Sequence, residues 1–204
     1  MSAIAAYRTQ VLALLTDAGM TYFSANDIDQ ALRWALAEYS NKRPLIRTYD
    51  FTVVGITRIH TLPTDFVTRH ITNVQRWVSD PGELVDIDYQ AELLDEQWII
   101  QTQSEYANGE VLQILYSSVH QIDGLDDAAG TTVAEADETL LSIGAAGHAM
   151  QMRAMDRVET INMNNDVRKG YLETALVYLA AFHKSCIPEP GPKIIPLVFP
   201  SDDK

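Results

Sequence analysis

Cysteine, positive charge and long apolar runs are all scarce in this chain, and each scarcity excludes something. The 204 residues hold one cysteine, Cys186. A lone thiol makes no internal disulfide, so packing has to hold the fold and a reducing cytoplasm is the expected place of assembly. No stretch approaches the roughly 20 apolar residues of a membrane helix. The opening MSAIAAYRTQVLALL lacks the basic flank and cleavage site of a secretory leader. Lys and Arg number 15 against 28 Asp and Glu, a formal net charge of −13. That balance argues against a surface that grips nucleic acid, because such affinity comes mainly from cations neutralising phosphates. An acidic wall past which a duplex moves without sticking remains compatible with it.

Reaction motifs are lacking as well. There is no P-loop, no dinucleotide fingerprint and no nucleophile elbow. His183 and Cys186 have a helix-compatible spacing for two metal ligands, but nothing nearby completes a set of four. The loop DGLDDAAG (123–130) lacks the alternating acids and distal Glu of a calcium loop. Trp34, Trp77 and Trp98 are spread over a helix and two strands, which suits burial better than a stacking platform. The chain is therefore expected to be no enzyme and to carry neither cofactor nor metal.

What is present is a core and a clear order of periods. At 47% hydrophobic and 21% charged, residues 1–186 suffice for a single domain. Helical spacing is expected over about 3–17, 24–41, 136–162 and 166–185. Ser24 or Asn26 caps the second helix, with Ile28, Ala31, Leu32, Ala35, Leu36 and Tyr39 inward. The fourth turns Leu172, Ala175, Leu176, Leu179 and Phe182 inward, and His148 falls on an apolar line of the third. Between about 45 and 120 the period becomes that of strands: 46–54, 57–62, 70–78, 95–103 and 110–119. Asn108-Gly109 is the strongest hairpin signal among them. The expected fold is α+β: a helical bundle of about four helices with one antiparallel β insertion. Gly144, Gly147 and Ala149 make the third helix small-sided, so that a helix of the same subunit or of a neighbour can approach closely.

Residues 187–204 read differently. Prolines at 188, 190, 192, 196 and 200 forbid a helix, yet Ile194, Ile195, Leu197, Val198 and Phe199 are too apolar for a solvated tail. An extended arm that docks on a neighbour is the expectation, with folding back on its own subunit as the alternative.

Read in order, ALRWALAEYSNKRP running into IRTYDFTVVG, the turn LPTDF, the strand and link ILYSSVHQIDGL, and the helix ETLLSIGAAGHAMQM resemble the head–tail connector (adaptor) proteins of tailed bacteriophages. The likeness covers about residues 24–160. It implies a structural virion protein at the neck, assembled in the host cytoplasm as a homo-oligomeric ring, a dodecamer, beneath the portal. Its partners would be the portal protein, a tail or tail-completion protein and further copies of itself, with DNA passing non-specifically through the channel. The arm would then dock on the portal, and part of the acidic set Asp123, Asp126, Asp127, Glu135, Asp137 and Glu138 would face the lumen or its rim, with the outer side as the alternative and Asp137 and Glu138 also suited to a helix N-terminus. Another neck or tail-completion protein, or an unrelated small acidic cytoplasmic binding protein, are the alternatives.

Overall fold

The Ser24 hydroxyl accepts from the Asp27 amide at 3.2 Å while the Asp27 carboxylate accepts from the Ser24 amide at 2.8 Å. This reciprocal pair satisfies amides that a helix start otherwise leaves open. In the computed structural model, which describes residues 2–63, 66, 70–78, 83–156 and 165–187, the helix so begun is α2, Ala25–Lys42. Before it lies α1, Ile4–Leu14, shorter than the expected 3–17. Asp17 explains the early stop: its carboxylate accepts from the amides of Thr21, Tyr22 and Phe23 at 2.8–2.9 Å. Those bonds draw the chain into a turn in which Thr16 and Met20 take positive φ.

Helices α3 (Glu138–Asp156) and α4 (Asn165–Cys186) follow the strands. The end of the expected 136–162 helix lies outside the described residues. Helix α3 is central and meets α1, α2 and α4, whereas α4 packs mainly on α3 and reaches α1 where Tyr178 donates to the Leu14 carbonyl at 3.1 Å. Their core joins Tyr7 and Val11, Ile28 and Leu32, and Leu141 and Phe182.

The bundle with one inserted sheet is overturned. Among the described residues seven strands form two antiparallel sheets with a core of their own, so the molecule is a sheet-rich α+β protein and not a helical bundle. The first sheet has the order β1 (Leu45–Thr52), β7 (Val111–Ser118), β3 (His70–Val78), β4 (Glu83–Asp86). The second has β2 (Thr57–Thr61), β6 (Gln97–Tyr106), β5 (Tyr89–Leu94). Val53, Leu62, Ile71, Val74, Ile100 and Ile114 are buried together, so both sheets contribute an inner face to one apolar core.

Two local signals led astray here. Asn108-Gly109 does not close a hairpin, because β6 pairs with β2 and β5 while β7 pairs with β1 and β3. The turn carries the chain from one sheet to the other. Gly109, at φ +91°, donates its amide to the Val53 carbonyl at 2.9 Å. The tight hairpin is β5–β6, where Leu94 faces Gln97 and both Asp95 and Glu96 take positive φ. Strands β4 and β5 went unrecognised because ELVD and YQAELL are largely exposed and carry little alternation.

Candidate functional site

The helical and sheet parts meet at a polar junction built by Arg43, His120 and Asp137. Arg43 ends α2 one residue before Pro44 forces extended backbone. Its guanidinium donates to both Asp137 oxygens at 2.9 and 3.0 Å and to the carbonyls of Ser185 and Cys186 at 2.9 and 3.2 Å. One side chain thus ties the start of α3 to the end of α4, capping carbonyls that α4 leaves open. Tyr39 donates to Asp137 at 2.7 Å. Burial first, and then Asp137, push its phenol up to about 12. Burial by itself would lower the Arg43 guanidinium, but Asp137 outweighs it and the group is pushed up.

His120 fastens the other side. It is buried at the exit of β7; its amide donates to the Ser40 hydroxyl at 3.0 Å. Its ring nitrogens lie 3.0 Å from the Arg43 carbonyl and 3.1 Å from the Thr132 carbonyl, and its ring packs edge-on to Tyr39. The VHQIDGL link therefore holds the strand-to-helix passage rigidly against α2.

A second cluster joins α2, α3 and α4. Glu38 places one carboxylate oxygen 2.7 Å from Nε2 of His183 and the other 3.5 Å from Nε2 of His148. His148 is buried, lies edge-on to Trp34, and has no hydrogen bond at Nε2. Desolvation pushes its imidazole below the usual range, the Glu38 charge opposes that, and His183 adds to it. Among the described residues no group of three or more His, Cys, Asp and Glu is arranged to hold a metal ion.

The six acids expected at a channel do not act alike. Asp137 is consumed by Arg43 and Tyr39. Glu138 is buried and accepts from the Ser2 amide and hydroxyl at 3.0 and 2.8 Å. Asp126 is exposed but pairs with Arg33 at 2.8 Å. Asp123, Asp127 and Glu135 are the exposed members that form no ion pair among the described residues. The loop carrying Asp123 is pinned to α1, whose Ile4 amide donates to the Asp123 carbonyl at 2.9 Å.

The small residues of α3 face inside the subunit. Gly144 lies against Phe182 and Gly147 against Leu179, both on α4, while Ala149 is fully buried in the helical core. Leu176, expected inward, points outward at 67% exposure beside Val177 at 67%. Ile194, Ile195, Leu197, Val198 and Phe199 lie outside the described residues. Sequence reasoning missed Arg43 and Glu38 as tying residues; each acts on partners distant in the chain, and no local pattern marks that.

Several grooves open on the surface of the described residues, among them two near the elements named above. One of about 300 Å³ lies between α2 and the 119–128 segment, lined by Leu36, Val119, Ile122 and Leu125, with the Arg33–Asp126 pair at its wall. The other, about 550 Å³, is polar and lined by Arg58, Asp88, Tyr89, Gln101 and Thr102. Thr102, at the wall of the second, is buried with its hydroxyl 3.4 Å from Nε2 of the buried His60. The chain matches no protein-family model and no curated protein. No described helix is long and apolar enough to cross a membrane.

Proposed function

We propose that the chain is a structural subunit of a phage head–tail connector: a ring, dodecameric by resemblance, seated beneath the portal. The ring extends the DNA channel and presents a face to the tail or a tail-completion protein. The observation that carries this reading furthest is the outer face of α4. That helix packs mainly on α3 within the subunit, and its outer face carries Leu176 and Val177, each 67% exposed, between the exposed Lys169–Glu173 pair and Lys184. An exposed apolar patch rimmed by charged residues suits a contact with a neighbour, and a heterologous contact repeated around an axis closes a ring.

Other features support the same role. The rigid junction at Arg43 and His120 suits a part that transmits load between head and tail. The acidic balance suits a wall that DNA passes, with Asp123, Asp127 and Glu135 as the exposed candidates for the lumen or its rim. The role is mechanical and requires no reaction.

The test is particle mass. Purified protein, alone and mixed with portal rings, is measured by native mass spectrometry and electron microscopy. A ring on the portal is the expected result. A protein that stays monomeric with portal present, and does not bind it, overturns the reading.

A further inference from the structure

The groove of about 300 Å³ between α2 and the 119–128 segment has an apolar floor. Leu36 enters it from α2, and Val119, Ile122 and Leu125 enter it from the segment. Its wall is held by the backbone. The Leu125 amide donates to the Ile122 carbonyl at 3.0 Å, the Gly124 amide to the Ala128 carbonyl at 2.9 Å, and the Asp123 amide to the Thr131 hydroxyl at 2.9 Å. The Arg33–Asp126 pair at 2.8 Å fastens the same wall to α2. A groove built in this way has little freedom left to lose when something seats in it. Its floor and size suit a pair of aliphatic side chains from another surface.

Helix α4 carries such a pair in Leu176 and Val177, with Ala180 exposed one turn on. The charges are complementary as well. Residues 119–128 hold three acids, Asp123, Asp126 and Asp127, and no Lys or Arg. In α4 the cations Arg168, Lys169 and Lys184 outnumber the acids Asp166 and Glu173, a positive balance in a chain of net charge −13. Lys184 stands seven residues on from Val177 and so on the same line of the helix. It is exposed and forms no ion pair among the described residues.

The two surfaces also lie where a heterologous contact needs them. On α2, Trp34 packs on His148 of α3 and Glu38 reaches His183 of α4, while Leu36 and Ala37 line the groove. These pairs fall on opposite flanks of the buried stripe of α2. The groove and α4 therefore lie to either side of that helix, and one copy can offer each surface to a different neighbour.

We propose that the outer face of α4 of one copy seats in the groove between α2 and the 119–128 segment of the next. Leu176 and Val177 lie against Leu36, Val119, Ile122 and Leu125, and Lys184 faces the acids Asp123 and Asp127. The contact names what α4 meets in the proposed ring, and it rests on that reading.

Cross-linking on portal rings tests it, with Val119→Cys and Val177→Cys made as two separate full-length variants. The chain's own Cys186 is fully buried and should not react. A short bismaleimide should join the two variants into a covalent dimer when they are mixed, and should join neither variant to itself. Ala37→Trp fills the groove from the side of α2; added to the Val119→Cys chain, it should abolish the mixed cross-link while the melting temperature stays near that of the parent. Rings that form without the mixed cross-link leave the connector reading standing and overturn the groove contact. Cross-linking of Val177→Cys to itself makes the contact symmetric and overturns it too. A parent chain that never assembles with portal present overturns the connector reading, and this contact with it.

Discussion

Gly144 lies against the ring of Phe182: a methyl group built on its Cα would stand 2.8 Å from Cδ2 and 2.9 Å from Cγ. Both residues are deep between α3 and α4, and Phe182 is fully buried, so the ring has nowhere to retreat. Gly144→Ala should therefore destabilise the protein by overpacking, by about 1–3 kcal/mol. Gly170 on α4 has nothing within 4 Å of such a methyl. Gly170→Ala should stabilise by up to about 1 kcal/mol through helix propensity. Urea denaturation of the two variants should give shifts of opposite sign; a Gly144→Ala protein more stable than the parent would refute the close approach.

The β5–β6 turn holds Asp95 at φ 48° and Glu96 at φ 65°. Two successive left-handed residues make the turn that matches strand twist, and Asn-Gly fills it with the least strain. Glu96→Gly should raise stability by up to about 1 kcal/mol, because relief of the left-handed backbone outweighs the extra entropy of the unfolded chain. Gly109→Ala should act in the opposite direction, since Gly109 has φ +91° at the passage between sheets. Melting temperatures of both variants provide the check.

His148 sets a pH dependence whose sign can be worked out. Desolvation holds its folded pKa below the ordinary value, with Glu38 opposing and His183 adding. The unfolded chain therefore binds the proton more readily than the folded one. The stabilisation is complete above the unfolded value of about 6.5 and is lost as pH falls from there through the folded pKa. His60, lowered by burial alone, contributes in the same direction. The protein should lose stability as pH falls below about 6.5, and His148→Gln should flatten that slope. An unchanged slope in the variant would show that His148 is not the group responsible.

The helices were legible because their signals are local: the Ser24–Asp27 capping box, the apolar stripe of α2, the small residues opposite Phe182 and Leu179. The sheets were legible as strands and illegible as pairings. Nothing within residues 97–118 states that β6 and β7 belong to different sheets; that follows from burying two inner faces against each other. Leu176 was assigned inward because α4 carries apolar residues on more than one side, and periodicity alone cannot rank them. At the junction, Arg43 and His120 act largely through the carbonyls of Ser185, Cys186 and Thr132. Backbone acceptors leave no mark in a sequence.

The outer face of α4 yields the prediction that bears most directly on function. Leu176 and Val177 touch little within the subunit, so Leu176→Glu should alter monomer stability by no more than about 0.5 kcal/mol, as surface changes generally do. In a ring the same substitution places a carboxylate in an apolar contact, where an unpaired charge is strongly disfavoured. Assembly on portal rings should then be lost while the melting temperature stays close to that of the parent. Ala175→Glu is the control, because Ala175 is 2% exposed beneath the same helix and its change should unfold the subunit itself. A Leu176→Glu protein that still assembles to full mass would place the subunit contact elsewhere. One that unfolds like Ala175→Glu would mean that α4 has no free face at all.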